Sequence, residues 1–322
     1  MIDGLVSTII PVYNRGGMLA EAALSVLRQT YRPVEIIIVD DGSTDGTRQT
    51  AEGLAQEHPD EIRVFHQPNS GTGLAREAGR QRARGEFIQY LDSDDLLLPA
   101  KFDLQVSGLR ADQRCGVSYG KTRYRNRDGS AETEAWKGSG VRVATMFPSF
   151  LLSRWWDTPT PLYRASVCSQ AGPWSSLRLE EDWEYDCRVA ALGTRLHYCD
   201  EFIVEVRDHG EGRLCAGPAL EPSRLAERAR AHTMILGHAQ RAGITSDDPE
   251  MKHYARELFL LARQSGAAGL EPESRELFAL AREASGETRS KGWDFKLYKS
   301  FASIVGWSLM GKLSCYTDSI RK

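Results

Sequence analysis

The sequence lacks a cysteine framework. Its six cysteines (Cys115, Cys168, Cys187, Cys199, Cys215 and Cys315) include no Cys-x-x-Cys pair and no zinc-type spacing. That excludes a disulfide scaffold and a structural zinc site, and reads as the reduced thiols of a cytosolic protein. Long apolar runs are missing too. Nothing reaches the roughly 18 residues that a membrane-spanning helix needs, and the nearest run, Phe301 to Met310, is too short. The apolar Leu5 to Tyr13 stretch has no basic leader and no small-residue cleavage site, so it reads as a strand rather than a signal peptide. Positive charge is not in excess: 41 Lys and Arg stand against 44 Asp and Glu, a formal charge of -3. A nucleic-acid partner is therefore not expected. What is present is ordinary globular material, 41% hydrophobic and 26% charged over 322 residues. This suffices for one large domain with an appendage, or for two modest ones.

Read in order, the first third alternates strand and helix. Leu5 to Tyr13 is β-rich, Gly16 to Gln29 has helical spacing, and Val34 to Val39 reads as a strand buried on both faces, as in parallel sheets. Thr44 to His58 predicts a second helix, Ile62 to His66 a short strand, and Leu74 to Arg84 a third helix. A strand from Gly85 follows, then a helix with Pro99 at its first position. The order βαβαβαβα to about residue 110 implies an α/β domain with right-handed crossovers. Beyond it the pattern loosens. Val117 to Tyr119 predicts a strand, Arg123 to Gly129 a polar hairpin or loop, and His197 to Val206 an edge strand. Leu179 to Trp183 leads into a helix whose packing face is Cys187, Ala190, Ala191 and Leu192, with Gly193 as its stop. From Pro222 the chain turns helical, over 225–242, 249–264 and 273–284, with a break at Gly266 and Gly269. The repeated Leu-Ala-Arg at 261–263 and 280–282 suggests a helical hairpin.

The stretch Gly85 to Asp95 organises the first half. It starts as a buried strand and ends with Asp92, Asp94 and Asp95. On an extended segment Asp92 and Asp94 would share a face, where two carboxylates repel unless something offsets them. A hard divalent cation taking oxygen ligands would do so, and would bring phosphate oxygens with it. The same acids could instead cap the helix near Pro99. Asp40-Asp41-Gly42-Ser43 lies at the end of the second strand, the edge where open α/β sheets bind ligands, although Asp and Gly also dominate plain turns. Glu180-Glu181-Asp182 reads either as a general base or as the acidic first turn of a helix. His209 gains value only if it meets Asp94 in space. Two phosphate motifs fail. Gly71-Thr72-Gly73 has Arg76 where the dinucleotide fingerprint needs a glycine, and Gly306 to Lys312 is followed by Leu313 rather than Ser or Thr.

Four segments taken together resemble glycosyltransferase family 2: Thr8 to Asn14, Val39 to Thr47, Gly85 to Asp95, and Glu181-Asp182-Trp183. The resemblance covers roughly residues 5 to 210. It implies a GT-A type, mostly parallel (mixed) sheet flanked by helices; beyond about residue 215 it gives no guidance, and the helical C-terminal appendage is the reading of the composition there. The corresponding domains are 1–215 and 216–322. It further implies that Pro11 and Tyr13 line a nucleoside pocket, and that Asp41 reads the base with Asp40 beside it. Asp92 and Asp94 match the family's Asp-x-Asp, with Asp94 holding Mg²⁺ or Mn²⁺ and Asp92 nearer the ribose. Asp182 matches the catalytic base, with Glu181 and Trp183 on the acceptor side. Arg207-Asp208-His209 resembles the family's Arg-x-His, which makes His209 a metal ligand. Arg76 is a donor contact by position, although Glu77 departs from the family's usual Asn.

The expected activity is inverting, metal-dependent transfer from a nucleotide-diphospho-sugar, most simply a UDP-sugar, to a hydroxyl of a glycan, polysaccharide or lipid-linked acceptor. Two alternatives stand beside it: a nucleotidyltransferase on a related sheet, and a catalytically inactive binding module of the same fold. The expected location is cytoplasmic, with peripheral contact at the inner face of the membrane through residues 291–322. In that tail Lys291, Lys296, Lys299, Lys312, Arg321 and Lys322 outnumber Asp294 and Asp318 among Trp293, Phe295, Tyr298, Phe301, Ile304, Trp307 and Leu309. A C-terminal helix packed on its domain is the other reading of the same stretch.

Overall fold

The computed structural model describes residues 1–210, 218 and 220–320. The chain divides into two compact units: Met1–Met146 with Arg154–Arg178 and Leu192–Glu211, and Phe147–Ser153 with Leu179–Ala191 and Gly212–Lys322. The boundary expected at 215, Cys215, Arg321 and Lys322 lie outside the described residues.

The first unit carries strands β1 (Ile2–Val12), β2 (Val34–Asp40), β3 (Ile62–His66), β4 (Gly85–Tyr90), β5 (Leu96–Leu97), β6 (Cys115–Arg125), β7 (Leu162–Arg164) and β8 (Arg195–Arg207). They form one mixed sheet in the order β3-β2-β1-β4-β7-β6-β8-β5. The half made of β3, β2, β1 and β4 is parallel, and β7 runs antiparallel to both of its neighbours. Helices α1 (Gly16–Leu27), α2 (Thr47–Glu57), α3 (Thr72–Arg80), α4 (Lys101–Ala111) and α5 (Ala165–Ala171) belong to the same unit.

Apolar spacing explains this arrangement. Leu19, Ala22, Ala23 and Val26 recur every three or four residues on α1 and are fully buried, in one core with Ile10, Ile36 and Ile38 from β1 and β2. All seven residues of β2 are buried, as its near-continuous apolar run requires of a central parallel strand. Glu35 is the exception within that run. Its carboxylate accepts from Ser7 Oγ at 2.6 Å, Arg84 N at 2.8 Å and Arg63 Nη2 at 3.0 Å, so its burial is compensated.

Several expectations are corrected. The strand from Gly85 stops at Tyr90, and Asp92 to Asp95 form a turn closed by Asp95 N donating to Asp92 O at 3.1 Å. Asp92 and Asp94 are therefore not alternate residues of one strand. A short extra strand, β5, follows the turn, and Pro99 lies two residues ahead of α4, whose N-cap Ala100 makes no side-chain cap bond. The acids do not cap that helix. β8 is not an edge strand: β6 pairs along it on one side and β5 covers its end on the other. β6 itself runs well past Tyr119, because that pairing continues to Arg125 and Arg207.

The second unit contains α6 (Glu181–Ala190), α7 (Pro222–Arg241), α8 (Pro249–Ala267), α9 (Glu271–Ala284), α10 (Gly286–Ser290), α11 (Trp293–Val305) and α12 (Trp307–Ile320). The hairpin expected from the Leu-Ala-Arg repeat is α8 against α9, tied by Ser274 Oγ donating to Ala262 O at 2.7 Å. Gly266 lies inside α8, not in the break. On α6 the buried residues are Glu181, Glu184, Tyr185, Asp186, Cys187, Val189 and Ala190, whereas Leu192, expected on the packing face, is 42% exposed. Phe259, Phe278, Phe295, Tyr298 and Trp307 cluster edge to face and stacked, which fixes α11 and α12 onto the hairpin. Gly311 lets α12 approach α8, since an added Cβ would meet Arg263 O at 2.7 Å.

Candidate active site

Parallel pairing brings the carboxyl ends of β1, β2 and β4 to one edge of the sheet. Val12 pairs with Asp40 across β1 and β2, and Ile9 pairs with Tyr90 across β1 and β4. The segments that leave this edge carry most of the residues singled out from sequence.

The loops after β1 and β2 are stitched together. Asn14 N donates to Ser43 Oγ at 3.0 Å, Thr44 N to Asn14 Oδ1 at 2.8 Å, and Arg15 N to Thr47 Oγ1 at 2.8 Å. Pro11 is buried within β1, while Tyr13, just beyond it, is 46% exposed. Asp40 accepts from Ser43 N at 2.9 Å and faces His66 Nδ1 at 3.0 Å. Burial pushes its carboxyl up, but the bonds from Ser43 and His66 prevail and hold it below the usual range. Asp41 is buried and accepts from Gln67 Nε2, Ser70 N and Gly71 N, each at 2.8 Å. It shapes the 67–71 loop. Gly42 is required beside it, because its φ is +80° and a Cβ would lie 2.8 Å from Asn69 N.

The acids after β4 meet different partners. Asp92 Oδ1 receives Arg76 Nη2 at 2.7 Å, and the Arg76 guanidinium lies 4.8 Å from the Trp174 ring. Asp94 Oδ2 is shared by His209 Nε2 at 2.8 Å and by Arg15 Nη1. Arg207 Nε donates to the Asp94 carbonyl at 2.6 Å, which ties the end of β8 to the acidic turn. The repulsion expected among these carboxylates is therefore offset by cationic and imidazole groups from α3, the β1 loop and β8. Asp95 is the buried member of the turn. Its burial, with the charges of Asp94, Asp92 and Asp157 around it, pushes its carboxyl well above the usual range. Glu77 is also structural: it accepts from Arg80, Gln81 and Trp174 N.

Asp94 offers Mg²⁺ or Mn²⁺ the carboxylate oxygen that both take, and the His209 imidazole paired with it is a donor better suited to Mn²⁺ than to the harder Mg²⁺. Among the described residues no three His, Cys, Asp or Glu side chains converge as a complete cage.

Asp182, Glu181 and Trp183 belong to the second unit. They form the first turn of α6, where acids complement the helix dipole. Asp182 Oδ1 accepts from Trp183 N at 2.7 Å, and Trp183 Nε1 donates to Phe150 O at 2.8 Å. Glu180, just before the helix, has a φ of +59°, a costly conformation for a residue with a side chain. It is held there by Arg228 Nε at 2.9 Å and His232 Nε2 at 3.1 Å.

Sequence reasoning missed Arg15 as a partner of Asp94, Trp174 beneath Arg76, and Gln67 and Ser70 on Asp41. Arg15 lies in a segment that was legible as a strand end, but nothing local points it at residue 94. Trp174 carries no periodic signal at all.

Residues 7–166 match the sequence model described as glycosyl transferase family 2. A glycosyltransferase of Rickettsia felis, itself uncharacterised, is 41% identical over 117 residues, which are 36% of this chain and 19% of that protein. Glycosyltransferase GlyG of Streptococcus pneumoniae serotype 4 is 40% identical over 94 residues, 29% of this chain and 31% of that protein. The matched segments thus span less than a third of either relative's length. Among solved structures, S. aureus TarS in complex with UDP is similar with a TM-score of 0.63 at 17% identity, covering 94% of this chain and 91% of that one. A mannosyltransferase from Pyrobaculum calidifontis, solved with GDP-Man and Mn²⁺, has a TM-score of 0.53 at 20% identity over 95% of this chain and 83% of its own. At these identities the likeness is one of fold, and it agrees with the mixed sheet and flanking helices.

Proposed function

The chain belongs to glycosyltransferase family 2 through residues 7–166, and on that premise we propose that it is an inverting, divalent-metal-dependent glycosyltransferase. Its donor is a nucleotide-diphospho-sugar, taken here as a UDP-sugar, and its acceptor is a hydroxyl of a glycan or lipid-linked saccharide. The observation that carries this reading is the pairing of Asp94 Oδ2 with His209 Nε2 at 2.8 Å. Two residues 115 positions apart, both flagged from sequence, meet at the carboxyl edge of the parallel strands. TarS, solved with UDP and with UDP-GlcNAc, and the mannosyltransferase, solved with GDP-Man and Mn²⁺, support a nucleotide-sugar donor.

In this reading Asp94 and His209 would hold Mg²⁺ or Mn²⁺, which would supply positive charge to neutralise the diphosphate of the leaving nucleotide. Arg15 and Arg76 add positive charge beside the same phosphates. Asp92 orients the ribose, Pro11 and Tyr13 flank the nucleoside, and Asp40 and Asp41 shape the base side of the pocket. Asp41 does so by holding the 67–71 loop as much as by direct contact. Asp182 removes the proton of the acceptor hydroxyl as it attacks the anomeric carbon, with Glu181 and Trp183 on the acceptor side. A single displacement inverts the anomeric centre.

The test is a nucleotide-sugar screen with purified protein, with Mn²⁺ or Mg²⁺ and with excess chelator. The reading expects turnover of one donor class only in the presence of metal, and a product of inverted anomeric configuration by NMR. Full turnover in chelator, or a retained configuration, would contradict it.

A further inference from the structure

The two C-terminal helices present an anomaly that the transferase reading does not absorb. On α11 the buried residues are Phe295, Tyr298 and Ala302, which point into the aromatic cluster of the second unit. A second apolar stripe runs beside them in the open. Trp293, Leu297, Phe301 and Ile304, at spacings of four, four and three, are 78%, 49%, 52% and 79% exposed. These positions share one face of a helix. α12 repeats the pattern: Trp307, Gly311 and Ser314 are buried, while Leu309, Leu313 and Tyr316 are exposed. Single exposed apolar residues are common, but a contiguous series marks an interaction surface.

Charge decides the occupant. The acids of these helices are already used, Asp294 by Arg289 at 2.5 Å and Asp318 by Arg263 at 2.8 Å. Lys291, Lys296, Lys299 and Lys312 are exposed, and no acid pairs with them among the described residues. Four cations without an acidic partner among the described residues therefore lie on or next to these two helices, with Lys296 flanking the α11 stripe and Lys312 the α12 stripe. A second copy meeting this face with the same face would set lysines against lysines. An anionic lipid surface satisfies both features, taking the apolar side chains at the acyl boundary and the lysines at the headgroups. No described helix is long and apolar enough to cross a membrane. A helix of 13 residues suits contact in the plane of the interface.

We infer that α11 and α12 form an interfacial docking face for anionic lipid bilayers, anchored to the second unit by their buried sides. Of the two readings of the tail from sequence, the packed helix is met by the buried side of α11; the membrane reading is the one inferred for its other side. The inference stands apart from the transferase assignment, since it needs neither donor nor metal.

The test is co-sedimentation of the full chain with vesicles of phosphatidylcholine alone and of phosphatidylcholine mixed with phosphatidylglycerol. Binding to the anionic vesicles is expected, weakening as salt rises. Replacing Lys296→Glu with Lys299→Glu, or Phe301→Ser with Ile304→Ser, should each lower the partition by about tenfold or more. Both pairs are exposed, so thermal melting of the variants should match the parent and exclude misfolding. Equal binding to neutral and anionic vesicles, no binding, or variants that bind like the parent would overturn the inference. So would light scattering that shows a dimer dissolved by Phe301→Ser with Ile304→Ser, because the face would then be a self-association surface.

Discussion

Acids gathered at one place need partners, and the residues of the acidic turn find theirs at long range. Asp92 takes Arg76 from α3, while Asp94 takes His209 from beyond β8 and Arg15 from beyond β1. The types and order of the acids were legible in the sequence, because an apolar run followed by Asp-x-Asp stands out. Of their partners, His209 and Arg76 were reached only through the family resemblance, and Arg15 not at all, since each looks locally like any surface cation or lone histidine. Asp182 was legible in the same limited way, as an acid at a helix start. The proposed role for it leads to a sharp expectation. A base for a sugar hydroxyl accepts its proton only as the new bond forms, so it must be well placed rather than strong. Asp182→Asn should lower kcat by about 10²–10⁴-fold while leaving donor affinity in place. Glu181→Gln should cost less. Donor binding by calorimetry beside turnover separates the cases: near-normal turnover would put the base elsewhere, and lost donor binding would make Asp182 structural.

At the level of elements, the parallel half of the sheet was the most readable part. β2 and β3 fall where apolar runs bounded by turn residues place them, since a buried strand has little freedom in composition. The length of β6 and the inner position of β8 were not readable, because the pairing of those two strands crosses about 80 residues of chain. Glu35 shows how an element can hide a charge. Burial pushes its carboxyl up, yet the bonds from Ser7 and Arg84 and the nearby Arg63 outweigh that and hold it below its ordinary value of 4.5. A carboxyl whose folded pKa is depressed stabilises the fold fully above its unfolded pKa, and that contribution is lost as pH falls through the folded value. Glu35→Gln should therefore cost about 2 kcal/mol near neutral pH. It should cost less as the pH drops below 4.5. Thermal or denaturant melting of both proteins across that range checks the sign, and a cost that grows toward acid would show that Glu35 is not held as an ion.

For the whole molecule, two kinds of packing coexist. The first unit is a sheet whose ligand edge is set by strand direction, so the place of its candidate site could be read from the order of its elements. The second unit is helical, and helical periodicity revealed its helices without revealing what they are for. Its α8–α9 hairpin was readable from a short repeat, whereas the double-faced character of α11 emerges only when burial separates Phe295 and Tyr298 from Phe301 and Ile304. Sequence alone sees one aromatic-rich, lysine-rich tail.

The central claim is that Asp94 with His209 forms the cation-assisted diphosphate site of a nucleotide-sugar enzyme. Its most direct test is isothermal titration of UDP into the wild-type protein and into Asp94→Asn, each with Mn²⁺ and with chelator. The account predicts that Mn²⁺ tightens UDP binding to the wild type by at least about tenfold, one full charge-assisted contact, and that this gain disappears in Asp94→Asn. Equal affinity in metal and chelator for the wild type, or an undiminished metal effect in the variant, would contradict it.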